Sequence, residues 1–147
     1  MGKVTAPIVP SVALRERLPR IMASIMDKLF FGLGAIFAFL AVVLGAFGAH
    51  ALQATFGPGM ADVYETGVRY HFYHALGLLA VAYAVSRWPD SPAPIAGWLF
   101  VVGIVLFSGS LYLLSLTGLR ALGAITPLGG LALLAGWLVL AWTVVRA

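Results

Sequence analysis

Three histidines are the residues in this sequence best suited to chemistry: His50, His71 and His74. Imidazole changes charge near neutral pH, relays protons and ligates metals. His71 and His74 are three apart, hence neighbours on a helix, and Glu65–Arg69 and Tyr70–His74 are pairs four apart on one helical face. With His50 supplied by an adjacent helix, the histidines suggest a metal site or axial ligands to haem. With Glu65 and the tyrosines they suggest a proton relay or a quinone pocket. A plainer account needs no ligand: interfacial Tyr, His and Arg anchor helix ends, and buried ones hydrogen-bond neighbouring helices. No carboxylate sits with the histidines at an established metal-ligand spacing, and there is no Cys-x-x-Cys-His attachment. The expectation is therefore no metal, no assigned cofactor and no catalytic residue, with haem or quinone as the exceptions to look for.

These residues must be carried by very apolar elements. Of 147 residues, 62% are hydrophobic and 10% charged, against about 45–50% and about 25% in ordinary globular domains. Such an excess needs an apolar solvent. With no cysteine, disulfides, thiolate metal sites and thiol nucleophiles are excluded. The net charge of +4 reads as a topology signal rather than a nucleic-acid footprint, because the basic residues crowd before the first apolar run. Gly32-Leu33-Gly34 follows no strand and is not a nucleotide fingerprint. No nucleophile elbow, P-loop or metalloprotease motif occurs, so an enzyme is not expected.

The pattern predicts an all-α integral membrane protein, a four-helix transmembrane bundle. Residues 1–27 read as a basic, proline-punctuated tail, and 28–147 as the membrane domain. The predicted helices are 29–50, 63–86, 94–116 and 125–145. Leu29 to Ala49 is free of charge for 21 residues, and about 20 suffice to span the hydrocarbon core. Ala41, Gly45 and Ala49 recur every fourth residue, a small-residue strip of the kind that packs helices closely. Asp62 and Glu65 suggest a capped start to the second helix, whose strongly apolar part is only Ala75 to Val85. Gly118 ends the third helix. Thr126-Pro127 either opens the fourth or kinks a longer one.

Four crossings put both termini on one side. That side carries Lys3, Arg15, Arg17, Arg20, Lys28, Arg87 and Arg146, against Arg69 and Arg120 on the other. Seven against two predicts cytoplasmic termini in a bacterial inner membrane, with an organellar inner membrane as the alternative. On this topology His50, Gln53, Glu65, Arg69, Tyr70, His71, His74, Ser108, Ser110, Tyr112, Arg120 and Thr126 all gather towards the opposite face.

The stretches Leu44-Gly-Ala-Phe-Gly-Ala-His-Ala-Leu52, Thr66-Gly-Val-Arg-Tyr-His-Phe-Tyr-His-Ala75, Leu106-Phe-Ser-Gly-Ser-Leu-Tyr-Leu-Leu114 and Gly123-Ala-Ile-Thr-Pro-Leu-Gly-Gly130 resemble the domain-of-unknown-function 423 family, also called YgdD-like. The resemblance covers about residues 26–145. It implies a small multi-pass membrane protein and supplies no catalytic residue. The family's usual start resembles Met26-Asp-Lys-Leu-Phe30, so the segment before it departs from the pattern. The expected role is an accessory or structural subunit of a larger membrane complex. Its partners would be the bilayer and other membrane subunits or further copies of itself, not nucleic acid. Alternatives are a quinone, lipid, haem or metal binder and a small oligomeric transporter or channel.

Overall fold

The computed structural model describes residues 11–146. Four long helices account for most of them: α1, Ser11–His50; α2, Met60–Arg87; α3, Ala93–Thr117; and α4, Thr126–Val145. Short 3-10 turns, Gln53–Thr55 and Arg120–Ala124, lie in the first and last connections. There is no strand among the described residues. Three segments are long and apolar enough to cross a membrane: Arg17–His50, Ala93–Thr117 and Arg120–Val145. α2 is not one of them. It is instead the helix with the most buried positions, packed between α1 and α3, and it turns His71 and His74 into the protein while Glu65, Arg69 and Tyr70 stay exposed.

The first helix differs from the sequence-based expectation. It begins at Ser11, not near residue 29, so residues 11–27 are helix and not tail; residues 1–10 lie outside the described part. Pro19 sits inside it. One proline removes a single helical hydrogen bond, and the residues after it include the good helix formers Met22, Ala23 and Met26. Tertiary packing also holds this arm: Ala23 is buried and packs into the same core as Phe30. At 1.5 Å per residue, 40 residues extend about 60 Å, roughly twice the hydrocarbon thickness.

α1 meets α2 along a seam with a seven-residue period. Its buried positions are Ala23, Phe30, Gly34, Ala41 and Gly48. On α2 the facing positions are Tyr64, Val68, His71, Ala75 and Leu79. This is the 3.5-residue repeat of helices wound gently about each other. The small-residue strip follows this seam only in part. Ala41 is buried, but Gly45 is only half-buried and Ala49 is exposed. The tightest contacts are at other glycines: a Cβ at Gly34 would lie 2.9 Å from the Ala75 carbonyl oxygen, and one at Gly48 would strike the Tyr64 ring, whereas one at Gly45 would lie 3.1 Å from Val68 Cγ1.

The start of α2 also differs. Asp62 lies in the first turn rather than at the cap. The chain reverses at Gly59, whose φ of +75° suits glycine, and the cap carries no side-chain hydrogen bond. Gly118, at φ +71°, closes α3 with its N–H donated to the Leu114 carbonyl at 2.8 Å, a left-handed helix stop. Within α3, Ile104–Ser108 form a π turn. There α4 crosses so closely that a Cβ on Gly129 would collide with the Phe107 backbone.

Candidate functional site

The polar residues of the predicted cluster separate into distinct groups. His71 is 5% exposed. Its ring lies edge-on to Phe37 of α1, with centroids 5.6 Å apart, and its Nδ1 is 3.2 Å from the Tyr112 hydroxyl of α3. His74 is equally buried but turns towards α3 and α4, against Phe100 and Trp137. Its Nδ1 is 2.7 Å from the Tyr70 carbonyl. A carbonyl only accepts, so Nδ1 carries the proton and donates. The Tyr70 ring stacks on the same imidazole. The two histidines are therefore adjacent along α2 but diverge around it.

Among the described residues two buried polar atoms have no partner: His71 Nε2 and Ser108 Oγ. Ser108 is 1% exposed. The helices fix its level. Gly67 abuts Leu111 and Tyr112, and Gly77 abuts Phe100, so antiparallel α2 and α3 bring residue 71 level with 107–108. This is also the level of the π turn, a feature frequent at functional sites. Orphaned buried polar groups are uncommon and each costs about 1–3 kcal/mol.

Ser110 and Thr126 form a second group, with their hydroxyl oxygens 2.8 Å apart between α3 and α4. Ser110 donates its only proton to the Phe107 carbonyl at 2.9 Å, so Thr126 is the donor between the two hydroxyls. The third group is the ion pair of Glu65 and Arg69, 2.6 Å apart with both side chains 58% exposed. It borders an open groove of about 400 Å³ between α1 and α2, floored by Gly45, Gly48 and Ala49.

Several predicted residues do not join a site. His50 is the exposed last residue of α1, and among the described residues no three His, Cys, Asp or Glu side chains come close enough to hold a metal. The expected grouping of His50 with His71 and His74 is thus not formed. Gln53 lies in the 3-10 turn after α1, and Arg120 opens the one before α4. The sequence reading missed Tyr64. Its hydroxyl donates to the Leu44 carbonyl of α1 at 2.9 Å, and its ring packs on Phe56 and Tyr112. The available signal was its position seven residues before His71 on the buried seam.

The family model described as "Protein of unknown function (DUF423)" matches residues 44–130. That stretch contains every member of the three polar groups. The chain belongs to the DUF423 family. It is 51% identical over 120 residues to the UPF0382 membrane protein YwdK of Bacillus subtilis, covering 81% of this chain and 98% of that protein. A UPF0382 membrane protein of Staphylococcus haemolyticus is 48% identical over 113 residues, covering 77% and 92%. No solved structure matches. These relatives are named as membrane proteins, in agreement with the apolar spans, and the matched region leaves the N-terminal arm of α1 outside it.

Proposed function

We propose that this DUF423 protein is a non-catalytic accessory subunit of a membrane complex, docked through the N-terminal arm of α1. The observation that carries the reading is an apolar stripe on that arm. Leu18, Ile21, Met22 and Ile25 are 50–54% exposed and follow the i, i+3, i+4, i+7 spacing of one helical face. They precede the charge-free run that starts at Leu29 and are set off from it by Asp27 and Lys28. The face carrying Ala23 and Phe30 is already used for packing within the bundle. Arg17 and Lys28 flank the stripe on one side. That combination fits a partner helix with an apolar face bordered by acidic residues, at the cytoplasmic side of a bacterial inner membrane.

A photo-crosslinking residue at position 21, in cells expressing the protein at native level, is expected to trap a discrete heavier species. The same probe at Ile36, exposed within the span, should give only lipid adducts. I21E with I25E should abolish the species while leaving the protein in the membrane. No adduct at position 21 would sink the docking reading, and an adduct of two identical chains would replace it with self-association.

A further inference from the structure

At the end of the bundle that carries Lys28, two cationic helix ends converge on one cleft. Arg87 is the last residue of α2, and Arg146 follows α4. The turn between α2 and α3 holds its shape through two hydrogen bonds, Trp88 N–H to the Ala84 carbonyl at 2.9 Å and Ser91 N–H to the Trp88 carbonyl at 3.1 Å. It thereby faces the last turn of α4 across a cleft of about 520 Å³ lined by Arg87, Trp88, Asp90, Trp142, Thr143 and Arg146. Thr143 is 1% exposed, and its hydroxyl donates to the Val139 carbonyl, so it makes no demand on a ligand.

Both guanidiniums lie close to indole rings. Arg146 Cζ is 4.3 Å from the Trp142 ring centroid, and Arg87 Cζ is 5.8 Å from that of Trp88. Stacking of this kind orients a guanidinium while leaving its N–H edge available. Among the described residues the one ion pair is Glu65–Arg69, at the other end of the bundle, so neither arginine is held by an Asp or Glu side chain of that part of the chain. A single arginine here would do no more than complement the carbonyls of a helix C-terminus. Two that converge from different helices, each beside a tryptophan, make a phosphate receptor.

The surroundings specify the source of the phosphate. Arg146, Trp142, Leu138 and Leu134 are spaced four apart on one face of α4. Trp142, Leu138 and Leu134 are 51%, 73% and 63% exposed. A guanidinium thus tops a tryptophan at the interface and a leucine ridge in the span, the order of headgroup, glycerol region and acyl chain. Asp90 brings the cleft's charge to two arginines minus one aspartate, or +1. That balances one phosphodiester, and a carboxylate lining the cleft can accept from a headgroup hydroxyl. We propose that this cleft binds the headgroup of an anionic phospholipid, with an acyl chain along the α4 ridge.

The full-length protein, reconstituted into phosphatidylcholine nanodiscs containing a minority of phosphatidylglycerol and released for native mass spectrometry, is expected to retain phosphatidylglycerol preferentially. R87Q and R146Q should each lower the retained fraction about tenfold, the scale of one charged hydrogen bond. R69Q, at the opposite end, should leave it unchanged. Both cleft arginines are exposed, so the single variants fold and read independently. Undiminished retention in R87Q and R146Q overturns the proposal. So does an equal loss in R69Q, which would reduce the effect to overall charge. Excess inorganic phosphate should not displace the lipid; displacement would overturn the lipid assignment in favour of a soluble phosphate.

Discussion

Gly129→Ala is the smallest change that should part α3 from α4. An added Cβ at Gly129 meets the Phe107 backbone, with Cα at 2.7 Å and Cβ at 2.8 Å. Carbon atoms rest at about 3.5–4.0 Å, so the helices must separate locally by about 1 Å. Backbone cannot rotate aside as a side chain can. Overpacking of this kind costs about 1–3 kcal/mol, whereas alanine in place of a helical glycine returns about 0.5–1 kcal/mol. The net is a loss. The same separation stretches the Ser110–Thr126 hydrogen bond, now 2.8 Å, beyond a useful length. Thr126→Val should therefore cost about 0.6 kcal/mol in the wild type, the average for such bonds between membrane helices, and almost nothing in the Gly129→Ala background. Gly109→Ala is the control, because a Cβ there meets nothing within 4 Å. Unfolding of all five proteins by sodium dodecyl sulfate titration in bicelles measures the cycle. Additive Thr126 and Gly129 effects, or a Gly129→Ala protein as stable as Gly109→Ala, would refute the reasoning.

Tyr112→Phe should destabilise by about 1–3 kcal/mol, because it removes the one hydrogen-bond partner of a buried imidazole whose Nε2 already lacks one. Adding His71→Phe should recover much of that loss in the same titration, since replacing both members of a buried polar pair by apolar rings leaves nothing unsatisfied. For topology, single cysteines at Lys28 and Arg120 of this cysteine-free chain should label from opposite sides with a membrane-impermeant maleimide, Arg120→Cys in intact spheroplasts and Lys28→Cys only after lysis. The reverse pattern would invert the orientation.

Much of the fold was legible because membrane spans announce themselves by length and charge. The charge-free run from Leu29 to Ala49 and the αL glycine at Gly118 needed no tertiary information. The arm from Ser11 to Lys28 was obscured because Pro19 and six charges argue locally against a helix. What holds it is remote: Ala23 and Phe30 pack on a core built largely by α2, α3 and α4, with Phe30 over Gly97. Propensity counts neighbours in sequence, and these contacts lie across the bundle.

The site was legible in level but not in rotation. Composition and topology place His71, Tyr112, Ser108, Ser110 and Thr126 towards one end. Which of them touch depends on the phase of each helix about its axis. A four-residue count selected Ala41, Gly45 and Ala49, whereas winding of α1 about α2 follows the seven-residue seam through Gly34, Ala41 and Gly48. The two counts share Ala41 and drift apart on either side of it, so Gly45 and Ala49 open onto the groove beside Glu65 and Arg69. The same phase sends His71 towards Phe37 and Tyr112, and His74 towards Phe100 and Trp137. The π turn then decides Ser108. One residue added to the turn advances every later side chain of α3 by about 100° relative to an uninterrupted helix. Ser110 thereby meets Thr126, while Ser108, at the hinge of that advance, is left buried without a partner at the level of an imidazole in the same condition.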